Sequence, residues 1–115
     1  MARSKQSLYP PEDQVISDYF RALSHPARLR ILRQLQSQGT LCVQVIAQEH
    51  PLSKEALSGH LKILRKTGLV DCYEQFPFTF YSLNAIQLKK AIELFFQFFK
   101  EIASLEDFNF LHDFI

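Results

Sequence analysis

No apolar run in the 115-residue sequence approaches the ~20 residues that a bilayer-spanning helix requires, so no membrane segment is expected. The first eleven residues hold two basic groups with no apolar stretch behind them, a pattern unlike a secretory signal, and a cytoplasmic protein is expected. Cysteine is scarce. Cys42 and Cys72 are too few and too widely separated for a disulfide framework or a Cys-x-x-Cys site, which fits a reducing compartment. Only three glycines occur, none in a phosphate-cradling loop, and neither a nucleophile–base pair nor a carboxylate pair stands out. An enzyme is therefore not expected. Internal repeats and low-complexity linkers are also missing. A strong charge of either sign is absent too: the net charge is +1. Its distribution says more. Residues 1–25 hold three basic and three acidic groups, residues 26–84 seven and four, and residues 85–115 three and five, so the middle is the electropositive part.

What is present is a single domain's worth of ordinary globular sequence over residues 1–115, 47% hydrophobic and 22% charged. Its centre is residues 52–70. Ser53 suits an N-cap and Gly68 a left-handed C-terminal cap, which together delimit one helix of about four turns. At about 100° per residue Leu57, Leu61 and Leu64 form a core stripe, whereas Glu55, Gly59, Lys62 and Lys66 lie opposite, flanked by Ser58 and Ile63. Mid-helix glycine costs roughly 1 kcal/mol relative to alanine, so Gly59 is easier to understand where a neighbour such as the DNA major groove must come close.

Around this helix the sequence predicts four others. Pro10-Pro11 with Glu12 and Asp13 opens a first helix (about 11–23) carrying Val15, Ile16, Tyr19, Phe20 and Leu23. A second runs from Pro26 to Gly39 with Leu29, Ile31, Leu32 and Leu35 on its apolar side and Arg28, Arg30 and Arg33 as solubilising charges. A third, roughly 42–49, is stopped by His50-Pro51. Two short helices joined by a tight turn, the second polar outside, match the helix-turn-helix plan. Residues 69–75 and 79–83, rich in aromatic and β-branched side chains around a Phe-Pro-Phe turn, predict a hairpin, and with it a winged helix. Asn84 with Gln87 starts a long last helix (about 85–106). Leu88, Ala91, Ile92, Phe95, Phe99 and Ile102 form one stripe, but Phe96 and Phe98 fall outside it. That aromatic surplus, extended by Phe108, Phe110, Leu111, Phe114 and Ile115, suits a second subunit. The expected class is mainly α with a small β-hairpin, about five helices plus a two-stranded wing.

The segments Ala22-Leu23-Ser24-His25-Pro26-Ala27-Arg28-Leu29-Arg30-Ile31-Leu32, Leu41-Cys42-Val43, Leu52-Ser53 through Ser58, His60-Leu61-Lys62, Gly68-Leu69-Val70 and Tyr81-Ser82-Leu83-Asn84 resemble the ArsR (SmtB/ArsR) family of bacterial winged-helix repressors. The resemblance covers most of residues 15–84 in order and spacing. It implies a homodimer through the first and last helices, with Phe20, Phe95, Phe96, Phe98, Phe99 and Ile102 as expected interface residues. It also implies double-stranded promoter DNA as partner, a recognition helix in each of two successive major grooves, and repression by occlusion. Ser53, Lys54, Glu55, Ser58, Gly59, His60 and Lys62 are the expected DNA-binding residues.

The sequence also departs from that family. Its metal motif Cys-Val-Cys reads Cys42-Val43-Gln44 here, and one thiolate is not a site. The last helix begins Asn84-Ala85-Ile86-Gln87-Leu88-Lys89, without the family's Asp and His, and His112 and Asp113 lack nameable partners. No metal or other cofactor is expected. Cys42 and Cys72 could act as a redox pair or simply as small buried residues. His25 lies beside a helix start and His50 at a helix end. The wing, Glu74-Gln75-Phe76-Pro77-Phe78-Thr79-Phe80, is acidic and aromatic where family wings hold Gly and Arg. This leaves a rival expectation, a degenerate winged helix serving as a protein-interaction module.

Overall fold

The computed structural model describes residues 8–104. His112, Asp113 and the aromatic residues 108–115 lie outside them. The described elements run α1 (Pro11–Ala22), α2 (Pro26–Gln38), β1 (Leu41–Cys42), α3 (Val43–Ala47), α4 (Lys54–Lys66), β2 (Val70–Gln75), β3 (Phe78–Leu83) and α5 (Ala85–Ile102).

Local chemistry sets most of the boundaries. Prolines occupy the first turns of α1 and α2, where a missing N–H costs nothing. Gly39 ends α2 at φ 82°, and Gly68 takes φ 78° after α4, conformations that a Cβ would strain. Asn84 caps α5, its side chain accepting from the Gln87 N–H at 2.9 Å.

The sheet has three antiparallel strands in the order β1-β3-β2. The wing's turn is narrower than expected, Phe76-Pro77 alone, and β2 and β3 pair in full register from Val70 opposite Leu83 to Gln75 opposite Phe78. The third strand was not anticipated. Leu41 and Cys42, expected to lead into or begin a helix, pair instead with Tyr81 and Phe80. Two residues are too short to show a period of two in sequence.

The core gathers Tyr19, Ala22, Ile31, Leu35, Ile46, Leu57, Leu61, Leu64, Leu69, Val70 and Ala91. Two expectations for α2 are corrected here. Leu29 is 42% exposed rather than on the apolar side, because it lies about 160° around the helix from Ile31. Arg28, expected to be a solubilising charge, is only 7% exposed, since the same arithmetic puts it about 60° from Ile31 and close to Leu35. On α5 the expected stripe is split. Ala91 is buried and Leu88 and Phe95 half-buried, whereas Ile92, Phe99 and Ile102 are exposed. Phe20 stacks on Phe95 at 4.6 Å and meets Phe98 and Phe99 edge-on, so α1 and α5 share one aromatic cluster at the surface.

Candidate nucleic-acid interface

The Ser53 hydroxyl accepts from the Ala56 N–H at 3.1 Å and starts α4 in place. Leu57, Leu61 and Leu64 lock one side of the helix into the core. Lys54, Glu55, Ser58, Gly59 and Lys62 are all exposed, so the structure brings these expected residues together on an outward surface that begins at the Ser53 cap. Among the described residues, a Cβ at Gly59 would meet no atom within 4 Å beyond its chain neighbours and the backbone of its own helix. The chain's own packing therefore does not require glycine there.

His60 is different. It is half-buried, at the edge between the two sides of α4, and its Nδ1 lies 2.9 Å from Nη1 of Arg28. A guanidinium has only donors, so His60 Nδ1 accepts, and the ring is neutral with its proton on Nε2. Arg28 also donates to Ala22 O at 2.8 Å and to Arg21 O at 3.0 Å. One buried cation thus holds the last carbonyls of α1, where a positive charge suits the helix dipole, and α4 besides. The His25 ring packs 4.2 Å from that of His60 while its Nδ1 caps α2 through the Ala27 N–H. Burial pushes the titration of His60 below the ordinary histidine value, and His25, Arg28 and His50 push it the same way.

A second polar group fastens the turn before α4. The buried Gln34 amide donates to Ile46 O and Glu49 and accepts from His50 Nε2 at 2.7 Å. Glu49 also accepts from Gln38 and forms an ion pair with Arg30. Burial first, then Arg30, lowers the titration of His50. Hydrogen bonds from Gln34 and Gln38 hold the Glu49 carboxyl below its usual range.

Register separates the two cysteines. Directly paired residues of antiparallel strands share a face, and neighbours along a strand alternate. Cys42 pairs with Phe80 and Cys72 with Tyr81, so they occupy opposite faces of the sheet with β3 between them. Two strand spacings are about 9.6 Å, beyond the ~7 Å that a disulfide spans between Cα atoms. As folded, they are not a dithiol pair.

Nor do the residues present fit a metal ion. Gln44 stands where a second thiolate would be needed, and among the described residues no three His, Cys, Asp or Glu side chains converge. The wing, residues 70–83, has no Lys, Arg or His. Tyr73 stacks on Phe80 at 5.2 Å, Phe78 meets Phe80 edge-on, and Phe76 at the tip is 97% exposed.

A helix-turn-helix that presents the polar side of its second helix and runs straight into a hairpin defines a winged-helix DNA-binding regulator. The chain belongs to the ArsR family of bacterial regulatory proteins, whose family description it matches over residues 25–71. It is 31% identical to the cadmium resistance transcriptional regulatory protein CadC of Listeria innocua over 87% of this chain and 84% of that one. It is also 31% identical to the transcriptional repressor SdpR of Bacillus subtilis, over 72% of this chain and 91% of SdpR. The solved structure of HlyU from Vibrio cholerae superposes with a TM-score of 0.62 at 30% identity, covering 79% of this chain and 98% of that one. The protein is a transcriptional regulator and not an enzyme.

Sequence reasoning found the outward residues of α4 and missed Arg28. The signal that could have found it is angular, since Arg28 falls on the Ile31–Leu35 side of α2. The ring contact of His25 with His60 spans 35 residues and left no local trace.

Proposed function

We propose that the chain is a dimeric, sequence-specific repressor acting in the cytoplasm, reading double-stranded operator DNA with the exposed side of α4. Ser58, Gly59 and His60 approach base edges, Lys54 and Lys62 meet phosphates, and Ser53 and Glu55 complete the contact at the helix N-terminus. The observation that carries this is the pairing of a core-locked side, Leu57, Leu61 and Leu64, with an outward side where Gly59 leaves open space. Of His60 only Nε2 remains for a base or phosphate, because Nδ1 is committed to Arg28.

Dimerisation runs through α1 and α5 in this proposal. It is supported by the joined cluster of Phe20, Phe95, Phe98 and Phe99, with exposed Ile102 beyond it and Phe96 half-buried on the same helix. Regulation by metal is not proposed, because the donor set does not fit. Selecting duplexes from a randomised library and titrating the winner by fluorescence anisotropy tests the proposal. Retention of a defined sequence well above mixed-sequence DNA supports it, and equal affinity for all duplexes overturns it.

The aromatic, cation-free wing favours a second reading, a protein-interaction module. Under it, Phe76→Ser abolishes capture of a partner while the selected duplex, if any, binds unchanged.

A further inference from the structure

Three groups able to carry positive charge, His25, Arg28 and His60, meet where α1, α2 and α4 join, and among the described residues the charges acting on His60 include no carboxylate. His60 of α4 faces His25 at the α1–α2 junction, Arg28 of α2 and His50 in the turn before α4. On α4 itself the positions three and four residues away, Ala56, Leu57, Ile63 and Leu64, are uncharged. Both imidazoles use Nδ1 as an acceptor, His60 from Arg28 at 2.9 Å and His25 from the Ala27 N–H at 3.0 Å.

We propose that Arg28 and His60, backed by His25, form a proton-sensitive tie that keeps α4 in its DNA-reading position, which makes Arg28 a positioning residue for recognition. The inference rests on the regulator reading above. A proton taken from solvent at His60 Nδ1 puts an N–H against the N–H of Arg28 and a second positive charge beside the first. The hydrogen bond is lost, and the recognition helix loses its only polar link, among the described residues, to the residue that clamps the end of α1. Specific binding then weakens on acidification. General electrostatics has the opposite sign, because every added proton strengthens attraction to phosphate.

That opposition makes the test sharp. The full chain is titrated at constant ionic strength with the duplex from the randomised library and with a mixed-sequence duplex, from about pH 8 to about pH 5.5, the span over which a histidine changes charge. Thermal melts restrict the series to pH values at which the protein is folded. The expected result is loss of specific affinity of the order of tenfold, a usual size for coupling between two sites, while mixed-sequence binding holds or rises. His60→Asn keeps an acceptor oxygen near the Nδ1 position without titrating, and should flatten the specific pH profile whatever its affinity at pH 8. Arg28→Lys keeps the charge but loses the fork, and should weaken specific binding more than mixed-sequence binding.

Long-range proton–nitrogen NMR of the free protein supplies a reading independent of DNA, with His60 Nδ1 unprotonated at neutral pH. Specific affinity that holds or rises on acidification, a His60→Asn profile parallel to the parent, or a protonated Nδ1 at neutral pH overturns the tie. Specific binding at pH 8 with no pH dependence leaves the regulator reading standing and removes only this inference, whereas no sequence preference at any pH removes both.

Discussion

Gly59 and Arg28 mark the two sides of α4's environment, one facing outward with nothing near it and the other tucked against the helix from within. At Gly59, alanine should improve helix propensity by up to about 1 kcal/mol, because a Cβ there meets open space in the free protein. The same methyl lies between backbone and groove if the proposed DNA contact is right. Gly59→Ala should therefore raise the melting temperature slightly while lowering affinity for the selected duplex, and Gly59→Leu should abolish specific binding without unfolding the chain. Melts paired with anisotropy titrations separate this from a merely solvated surface, which gives unchanged affinity for both variants. Lys62→Ala should weaken binding to every duplex alike and reduce the log–log salt slope by about 1. At Arg28 removal has a different signature. Arg28→Met leaves the Ala22 carbonyl and His60 Nδ1 without this donor, while Arg21 O keeps the Ser24 hydroxyl and N–H, and a buried group so stranded costs about 1–3 kcal/mol. A clear drop in melting temperature is expected, in contrast to the gain at Gly59.

Among the elements, the junction of α2, α3 and α4 should respond to acid before any surface does. His50 and His60 both titrate below the ordinary value, chiefly through burial, so the unfolded chain binds protons more readily than the folded one. Stability is then full above the unfolded value near 6.5 and falls as pH drops from there towards the folded values. Denaturant melts between about pH 7.5 and about pH 5 should show this loss, and His50→Gln together with His60→Asn should remove most of it. A stability independent of pH across that window would contradict the arrangement. Boundaries of these elements were legible in the sequence wherever one residue type does one job: prolines opening α1 and α2, Ser53 and Asn84 as caps, Gly39 and Gly68 as stops. The core stripe of α4 was legible because 3.6-residue periodicity survives over thirteen residues. What escaped depended on partners remote in sequence. Strand β1 exists through its pairing with β3. Arg28 is buried because α1's end and His60 satisfy it. The division of α5 into covered and open parts follows from which of its residues the core reaches, Ala91 within it and Leu88, Leu94 and Phe95 against it.

As a whole molecule the chain leaves an apolar surface on α1 and α5 that a small monomer rarely keeps. Burying one phenylalanine contributes about 1.5–3 kcal/mol, and a two-fold axis uses each contact twice. Light scattering should find a dimer at micromolar concentration. Ile102→Asp should yield monomer while leaving the fold intact, because Ile102 is 70% exposed within its own chain, whereas a monomeric parent protein ends the dimer proposal. Elemental analysis of protein purified without chelators should find no metal at one per subunit.

The central position of β3 reaches further. Its Phe80 and Tyr81 are paired on both sides, with β2 in the wing and with β1, whose last residue runs directly into α3. The hairpin is thereby welded to the helix-turn-helix instead of swinging from it, and any tilt of α3 moves the wing as a lever arm of fixed angle. Backbone amides in the middle of β3 should exchange with deuterated solvent on the timescale of global opening, well after those at the wing tip.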